Sequence, residues 1–343
     1  LKRRTNSRHR SFTSPIIDCS SPIDKHVTRA AKRVLATLEA PVSVVGSINA
    51  DLTVETQRLP KPGETVFGGP LATLPGGKSA NQAVTCALLG AETKLIGALG
   101  TDAHGDLLLN SLTKAGVEIT GVQRLAGSSG STLITVDEAG ENTIVYSAGA
   151  NTLVDAEFVR SRAQLITSSK TLGLCLEAPV DAVHEAARIA NETGVEVVLN
   201  YSPITALPDS LLKLVDVLIV NEHELVALSG SRLDVTNVSQ LQTNLTKLGF
   251  RRVALTMGAN GSLILDNGEV TRIPAFTVKT VDTTGAGDSY MGSLLAALAA
   301  GASLADGACL AAAVSALATT GVGAQSSYHS AKQVRDFLTK YEV

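Results

Sequence analysis

Residues 171–200 read TLGLCLEAPVDAVHEAARIANETGVEVVLN, and three patterns follow one another within them. Residues 171–176 are a short apolar run, residues 180–192 carry apolar side chains at helical spacing, and residues 195–200 are a second, β-branched run. A parallel strand pair needs a crossover of about a dozen residues or more, usually a helix, and this stretch supplies one. The same unit recurs on both sides. Strand-like runs lie at residues 42–46, 94–98, 217–220, 253–257 and 262–266, and helical patterns at 79–89, 105–115 and 288–300. The alternation predicts an α/β fold: a doubly wound, mostly parallel sheet flanked by helices.

Two regions break the rhythm. Within residues 51–74 and 131–147 polar and apolar residues alternate with period two, which predicts antiparallel strands with one solvated face. They are expected to form a small β-sheet lid across the ends of the main strands, of the kind that closes on a substrate and excludes water. Residues 291–318 are the most apolar stretch, but Ala and Gly dominate it and Asp306 interrupts it, so two buried helices are expected and no membrane span.

The first residues differ from all that follow. Lys2, Arg3, Arg4, Arg8 and Arg10 alternate with Thr5, Ser7, Ser11, Thr13 and Ser14, and no acid precedes Asp18. That composition marks an organelle transit peptide, with a disordered basic tail as the alternative. Residues 1–38 are read as this leader, with a short amphipathic helix within 25–39, and residues 39–343 as the folded domain. A plastid (chloroplast) destination is preferred, with mitochondrion or cytoplasm as the other choices.

The net charge is −3 over 343 residues and the pI is near 6.1, which excludes a protein built to bind nucleic acid or an anionic membrane through a basic face. Hydrophobic residues make up 44% and aromatics only 3%, so the core must be built from Ala, Leu, Val and Ile. Cys19, Cys86, Cys175 and Cys309 lie far apart and form no metal-binding cluster with histidine, which points to a reducing compartment.

The segment Thr283-Thr284-Gly285-Ala286-Gly287-Asp288-Ser289 follows an extended run at residues 276–281 and opens an Ala/Leu-rich helix. Glycines there allow backbone N–H groups to converge at the positive end of the helix, which makes an anion site. A carboxylate beside such a site is unfavourable unless it accepts a proton from an attacking hydroxyl, which makes Asp288 a candidate general base. The alternative is that Asp288 merely caps the helix. Two other nucleotide motifs fail: the P-loop suggested by Gly77-Lys78-Ser79 would need glycine where Ala72 stands, and a dinucleotide fingerprint starting at Gly285 would end on Tyr290.

Five ordered motifs carry a resemblance. Gly46-Ser47-Ile48-Asn49-Ala50-Asp51, Pro75-Gly76-Gly77-Lys78-Ser79-Ala80-Asn81-Gln82-Ala83, Asn221-Glu222-His223-Glu224, Thr256-Met257-Gly258-Ala259-Asn260-Gly261 and Asp282 through Asp288 occur in the order seen in the ribokinase (pfkB-type) family of carbohydrate kinases. The resemblance covers residues 42–338. It implies ATP-dependent phosphorylation of D-ribose at O5, giving ribose 5-phosphate and ADP, with Asp288 as the base and Gly285, Ala286 and Gly287 as the anion hole.

By the same resemblance Asn49, Asp51, Gly76, Gly77, Lys78, Asn81 and Glu177 would bind the sugar. Asn221, Glu224, Thr256, Gly258, Ala259, Asn260, Gly261 and Gly287 would serve the nucleotide, with Glu224 helping to organise Mg²⁺. A monovalent cation, K⁺, would lie near Asp282, Thr284, Ala318, Gly321, Gly323 and Ser327. Read singly, the same residues have plainer roles: Asn49 and Asp51 as turn residues, Lys78 as a solvated charge, Glu177 as a cap, and the Asn221–Glu224 motif as an acidic helix start. Two positions depart from the family pattern: Ser79 stands where glycine is common, and Ala312 where some relatives are polar. A homodimer paired through the lids is expected from their exposed edges. Fructose, adenosine or another nucleoside remain alternative acceptors, and a non-catalytic organellar interaction protein is the alternative of a different class.

Overall fold

The computed structural model describes residues 25–230 and 237–341. Its strands in chain order are β1 (Pro41–Val45), β2 (Asn49–Thr56), β3 (Ala72–Gly76), β4 (Glu92–Gly100), β5 (Val122–Leu125), β6 (Gly130–Asp137) and β7 (Asn142–Ser147), then β8 (Thr171–Leu174), β9 (Glu196–Asn200), β10 (Val217–Asn221), β11 (Arg252–Thr256), β12 (Ser262–Asp266) and β13 (Glu269–Ile273). Nine of them form one sheet in the order β13-β12-β11-β10-β9-β8-β1-β4-β5. All its pairs are parallel except β11 with β12 and β12 with β13.

Both faces of this sheet are buried, and the strands show it residue by residue. Val44, Leu95, Val198, Ile219 and Ala254 point into one apolar cluster, while their neighbours Val45, Ile96, Val197, Leu218 and Val253 point into the other. Helices Lys25–Leu35, Lys78–Leu89, Ala103–Ala115, Ala286–Ala299, Leu304–Ala318 and Ala331–Thr339 cover the first face. Val180–Thr193 and Val238–Lys247 lead the cover of the second. The doubly wound α/β reading holds, and the apolar stretch at 291–318 resolves into two packed helices. No helix among the described residues is long and apolar enough to cross a membrane.

Two expectations need correction. The domain does not begin at residue 39. Helix Lys25–Leu35 lays Val27, Ala30, Ala31, Val34 and Leu35 into the first cluster, and Arg33 pairs with Asp306 at 3.0 Å, so residues 25–38 belong to the folded unit. The rest of the expected leader lies outside the described residues. Second, the lid is a four-stranded sheet in the order β3-β2-β6-β7, but it is mixed: β2 runs parallel to β6, and only the flanking pairs are antiparallel. Alternation reports a half-solvated strand without reporting the direction of its neighbour. The extended run at residues 276–281 joins β13 to the glycine-rich segment outside both sheets.

Candidate active site

The chain leaves β1 through the lid to β4 on one side, while β8 pairs with β1 on the other. Diverging connections of this kind open a crevice at the carboxyl ends of the strands, where α/β sheets bind ligands. Ser47 and Asn49 follow β1, Glu177 follows β8, Asn221 ends β10 and Thr256 ends β11 in register with it. The helices that start at Lys78 and Ala286 pack against each other beside these ends.

Glu177 is the hub of one half. Its Oε2 accepts hydrogen bonds from Ser47 Oγ at 2.6 Å, from the Lys78 backbone N–H at 3.1 Å and from Asn49 Nδ2 at 3.3 Å. Asn49 is held from its other end, where Oδ1 accepts from Asn151 Nδ2 at 2.7 Å, and Asn151 Oδ1 in turn accepts the Ile48 N–H at 3.0 Å. Neither Asn49 nor Glu177 is a simple turn or cap residue. Gly76 lies beside the Asp51 carboxylate, and an added Cβ would stand 2.0 Å from Asp51 Oδ2, so glycine leaves room for that side chain. Gly77 forms the N-cap position of the Lys78–Leu89 helix. The set presents a carboxylate, amides and an ammonium together, which is what a polyol requires.

Asp288 sits at the base of this half, in the first turn of its helix and 7% exposed. The cap position belongs to Gly285, at φ 74°, so Asp288 is not the cap; its Oδ2 accepts from Asn81 Nδ2 at 2.9 Å. Burial pushes the Asp288 carboxyl up, against the pull of Lys78 and Asn81. Asp288 in turn is the largest influence holding Lys78 protonated well above the usual lysine range, with Glu177 and Glu224 adding to it. Burial raises Asp51 to about 6, opposed by Thr132 and reinforced by Glu177 and Asp288.

The residues expected to form the anion hole, Gly285, Ala286 and Gly287, lie together at the start of helix Ala286–Ala299. Gly285 has left-handed backbone geometry, and a Cβ there would lie 2.4 Å from Tyr328 Oη, which donates to the Gly285 carbonyl at 2.9 Å. The N–H groups of Gly287 and Asp288 occupy the first helical turn, where no intrahelical acceptor exists, and the space beside Gly287 is open. Asp282 ties this loop to the one that follows helix Leu304–Ala318. Its Oδ1 accepts from Thr284 N–H at 2.9 Å and Thr284 Oγ1 at 2.7 Å, and its Oδ2 accepts from Gly323 N–H at 2.8 Å. Burial opposes ionisation there, but these donors bring the Asp282 carboxyl below its usual range. Ala318 ends helix Leu304–Ala318, and Gly321 and Ser327 lie in the connection, with Ser327 Oγ donating to the Ala324 carbonyl at 2.8 Å.

On the nucleotide side, Asn221 and Glu224 form a reciprocal capping box, Asn221 N–H to Glu224 Oε2 at 2.8 Å and Glu224 N–H to Asn221 Oδ1 at 2.8 Å. The helix-start reading of this motif is therefore correct as far as it goes. The second Glu224 oxygen lies outside the box. Gly258, Ala259 and Asn260 form an exposed turn between β11 and β12, and Gly261 closes it. Ser79 Oγ donates to the Val45 carbonyl at 3.2 Å and lies 3.1 Å from Cys175 Sγ, so the departure from glycine is absorbed inside the fold. Ala312 is buried in the first apolar cluster. The residues not singled out from sequence are Asn151, Tyr146, Gln325 and Tyr328. Each acts through hydrogen bonds to segments distant in the chain; Tyr146 lies in the lid and Gln325 between the proposed cation-site residues Gly323 and Ser327.

Comparison with known proteins places this architecture. The chain is 38% identical over 305 residues to a ribokinase of Schizosaccharomyces pombe, an alignment covering 85% of this chain and 96% of that one. It is 35% identical over 299 residues to a ribokinase of Haemophilus influenzae, covering 87% and 98%. The structure of Arabidopsis thaliana ribokinase complexed with ribose and ATP superposes with a TM-score of 0.81 at 33% identity, over 88% of this chain and 99% of that one. The model of the pfkB family of carbohydrate kinases matches residues 40–331, and with a strand-end crevice, a glycine-opened helix and a buried aspartate already in place, the chain belongs to that family.

Proposed function

We propose that this enzyme transfers the γ-phosphoryl group of ATP to O5 of D-ribose, giving ribose 5-phosphate and ADP. The observation that carries the reading is Asp288: a carboxylate buried at the start of a glycine-opened helix, held by Asn81 and facing Lys78. Ribose lies against Asn49, Asp51, Gly76, Gly77, Lys78, Asn81 and Glu177. ATP lies along Asn221, Glu224, Thr256 and the Gly258–Gly261 turn, with its γ-phosphate at the first turn of helix Ala286–Ala299.

Asp288 takes the proton of the sugar hydroxyl as that oxygen bonds to phosphorus and the bond to the bridging oxygen breaks, leaving its electron pair on ADP. The N–H groups around Gly285, Ala286 and Gly287 meet the charge that develops on the equatorial oxygens. Mg²⁺ carried with ATP neutralises phosphate charge when bound, and Glu224, with an oxygen to spare, would hold it through water. K⁺ would be held near Asp282, Thr284, Ala318, Gly321, Gly323 and Ser327. One carboxylate among carbonyls and hydroxyls suits a large, weakly hydrated cation.

The lid supports a homodimer. Leu133 and Val145, paired across β6 and the edge strand β7, are exposed on one face of the lid, and a second lid laid on that face would remove apolar surface from water. Sedimentation of the purified protein tests it. The Arg- and Ser-rich composition of residues 1–14 supports a plastid address, tested by fusing residues 1–38 to a fluorescent reporter.

The function is tested by coupled ADP release with D-ribose, fructose and adenosine as acceptors, each in K⁺ and in Na⁺. Turnover with ribose, stimulated by K⁺, is expected. Turnover only with another acceptor moves the substrate and keeps the mechanism; silence with all of them overturns the reading.

A further inference from the structure

Asn81 reaches Asp288 with an amide, and an amide has two unlike ends. Its Nδ2 donates to Asp288 Oδ2 at 2.9 Å, while its Oδ1 accepts from Gln325 Nε2 at 3.1 Å. Gln325 is oriented in turn, because its Oε1 accepts from Ser111 Oγ at 2.8 Å. Ser111 is on helix Ala103–Ala115, Gln325 on the short turn Gln325–Ser327 and Asn81 on helix Lys78–Leu89, so three separate elements converge to fix one amide. Asn81 is 5% exposed, which leaves a turned amide little water to bond instead.

We propose that Gln325 is a positioning residue for phosphoryl transfer, holding the Asn81 amide with its NH₂ toward Asp288. The argument is one of donors and acceptors. A hydroxyl proton can pass only to an ionised Asp288, and an ionised carboxylate only accepts hydrogen bonds. Were the Asn81 amide turned over, its oxygen would stand where the nitrogen now does, acceptor against acceptor. Asp288 would then relieve the clash by keeping its own proton, which is the form unable to act as base. Gln325 opposes this by offering its N–H to Asn81 Oδ1, and the Ser111 hydroxyl, donating to Gln325 Oε1, holds the oxygen end of that amide away from Asn81.

The inference rests on Asp288 being the base, so Asp288→Asn is measured in the same assay. Gln325→Glu keeps the size of the side chain and its bond from Ser111 but turns the donor into an acceptor, so the Asn81 NH₂ is drawn away from Asp288. Turnover at neutral pH is expected to fall on the order of tenfold, the scale of one hydrogen bond to a charged group, with the KM for ATP unchanged. The acid limb of the kcat profile is expected to move to higher pH, so that alkaline buffer restores part of the loss. Lys78, Glu177, Asp51 and Tyr328, the other charged or titratable groups that act on Asp288, are untouched in this variant. Gln325→Ala, which frees the amide and adds no charge near Asp288, should lose less but still move the acid limb in the same direction, and Ser111→Ala less again; an acid limb moved by Gln325→Glu alone would reflect the added charge and overturn the proposal. Wild-type turnover and an unmoved acid limb in Gln325→Glu would overturn the proposal if Asp288→Asn is inactive. So would a loss of turnover that tracks a lowered melting temperature with the acid limb unmoved. An active Asp288→Asn would instead overturn the assignment of the base.

Discussion

The Gly323 N–H lies 2.8 Å from Asp282 Oδ2, joining two loops that are 41 residues apart in the chain. The other carboxylate oxygen takes both the N–H and the hydroxyl of Thr284, so one side chain sets the spacing between the loop that opens helix Ala286–Ala299 and the loop proposed to hold K⁺. Asp282→Asn keeps the shape but turns one acceptor into a donor facing donors. Turnover is expected to fall on the order of tenfold, with more K⁺ needed for half-maximal stimulation and the KM for ribose unchanged. Potassium titration of the variant checks this.

Gly285 is the tightest point of the anion hole. Alanine there would adopt φ 74° at a cost and bring its Cβ to 2.4 Å from Tyr328 Oη. Gly285→Ala is expected to lose on the order of 10²-fold in kcat, the scale of one misplaced oxyanion donor, with ribose binding retained. Ala324 Cβ and Cα stand 2.7 and 2.9 Å from the same point, so Tyr328→Phe, which removes one of these contacts, should recover only a small part of the loss. Steady-state kinetics of the single and double variants test both statements.

Glu177 collects three donors on one oxygen. Glu177→Ala leaves the Lys78 N–H and the Ser47 hydroxyl without their acceptor, so a stability loss of about 1–3 kcal/mol and a large rise in the KM for ribose are expected. Glu177→Gln keeps an acceptor oxygen and should recover much of the stability. Urea denaturation and ribose titration read the two effects separately.

Asp51 titrates near 6 in the ligand-free fold, above its usual 3.8, chiefly because it is buried. A carboxyl raised in this way costs stability once it must ionise. Its penalty is absent below the unfolded value, grows between the two values and is complete above about pH 6. Asp51→Asn should therefore stabilise the ligand-free protein at pH 8, by roughly 3 kcal/mol at most, with the gain shrinking as the pH falls toward 4. In the wild type, ribose binding should tighten as the pH rises through 6, where the carboxylate becomes a full acceptor for sugar hydroxyls. Thermal melts and ribose titrations across that range decide it.

Much of this could be read along the chain, and the parts that could not share a cause. Residues 171–200 give β8, the helix Val180–Thr193 and β9 almost to the residue, because a strand buried on both faces and its crossover helix write their periods locally. Asp288, Gly285 and Gly287 stand out because a helix opened by glycine and acid is a local pattern. A helix within residues 25–39 is legible from its period, but Lys25, Arg29, Lys32 and Arg33 give it the look of a leader, and only its packing on helix Leu304–Ala318, far along the chain, makes it part of the domain. The parallel pairing of β2 with β6 and the amide pairs Asn151 to Asn49 and Gln325 to Asn81 join residues far apart in sequence, so no local pattern carries them.

The most direct test of the central claim is Asp288→Asn, assayed by coupled ADP release with saturating ribose and ATP, and by ribose binding in the absence of turnover. General-base assistance contributes about 10²–10⁴-fold. The account predicts a loss of turnover in that range with ribose affinity nearly unchanged, since the proposed sugar contacts at Asn81 and Glu177 are left in place. Wild-type turnover in the variant would contradict it.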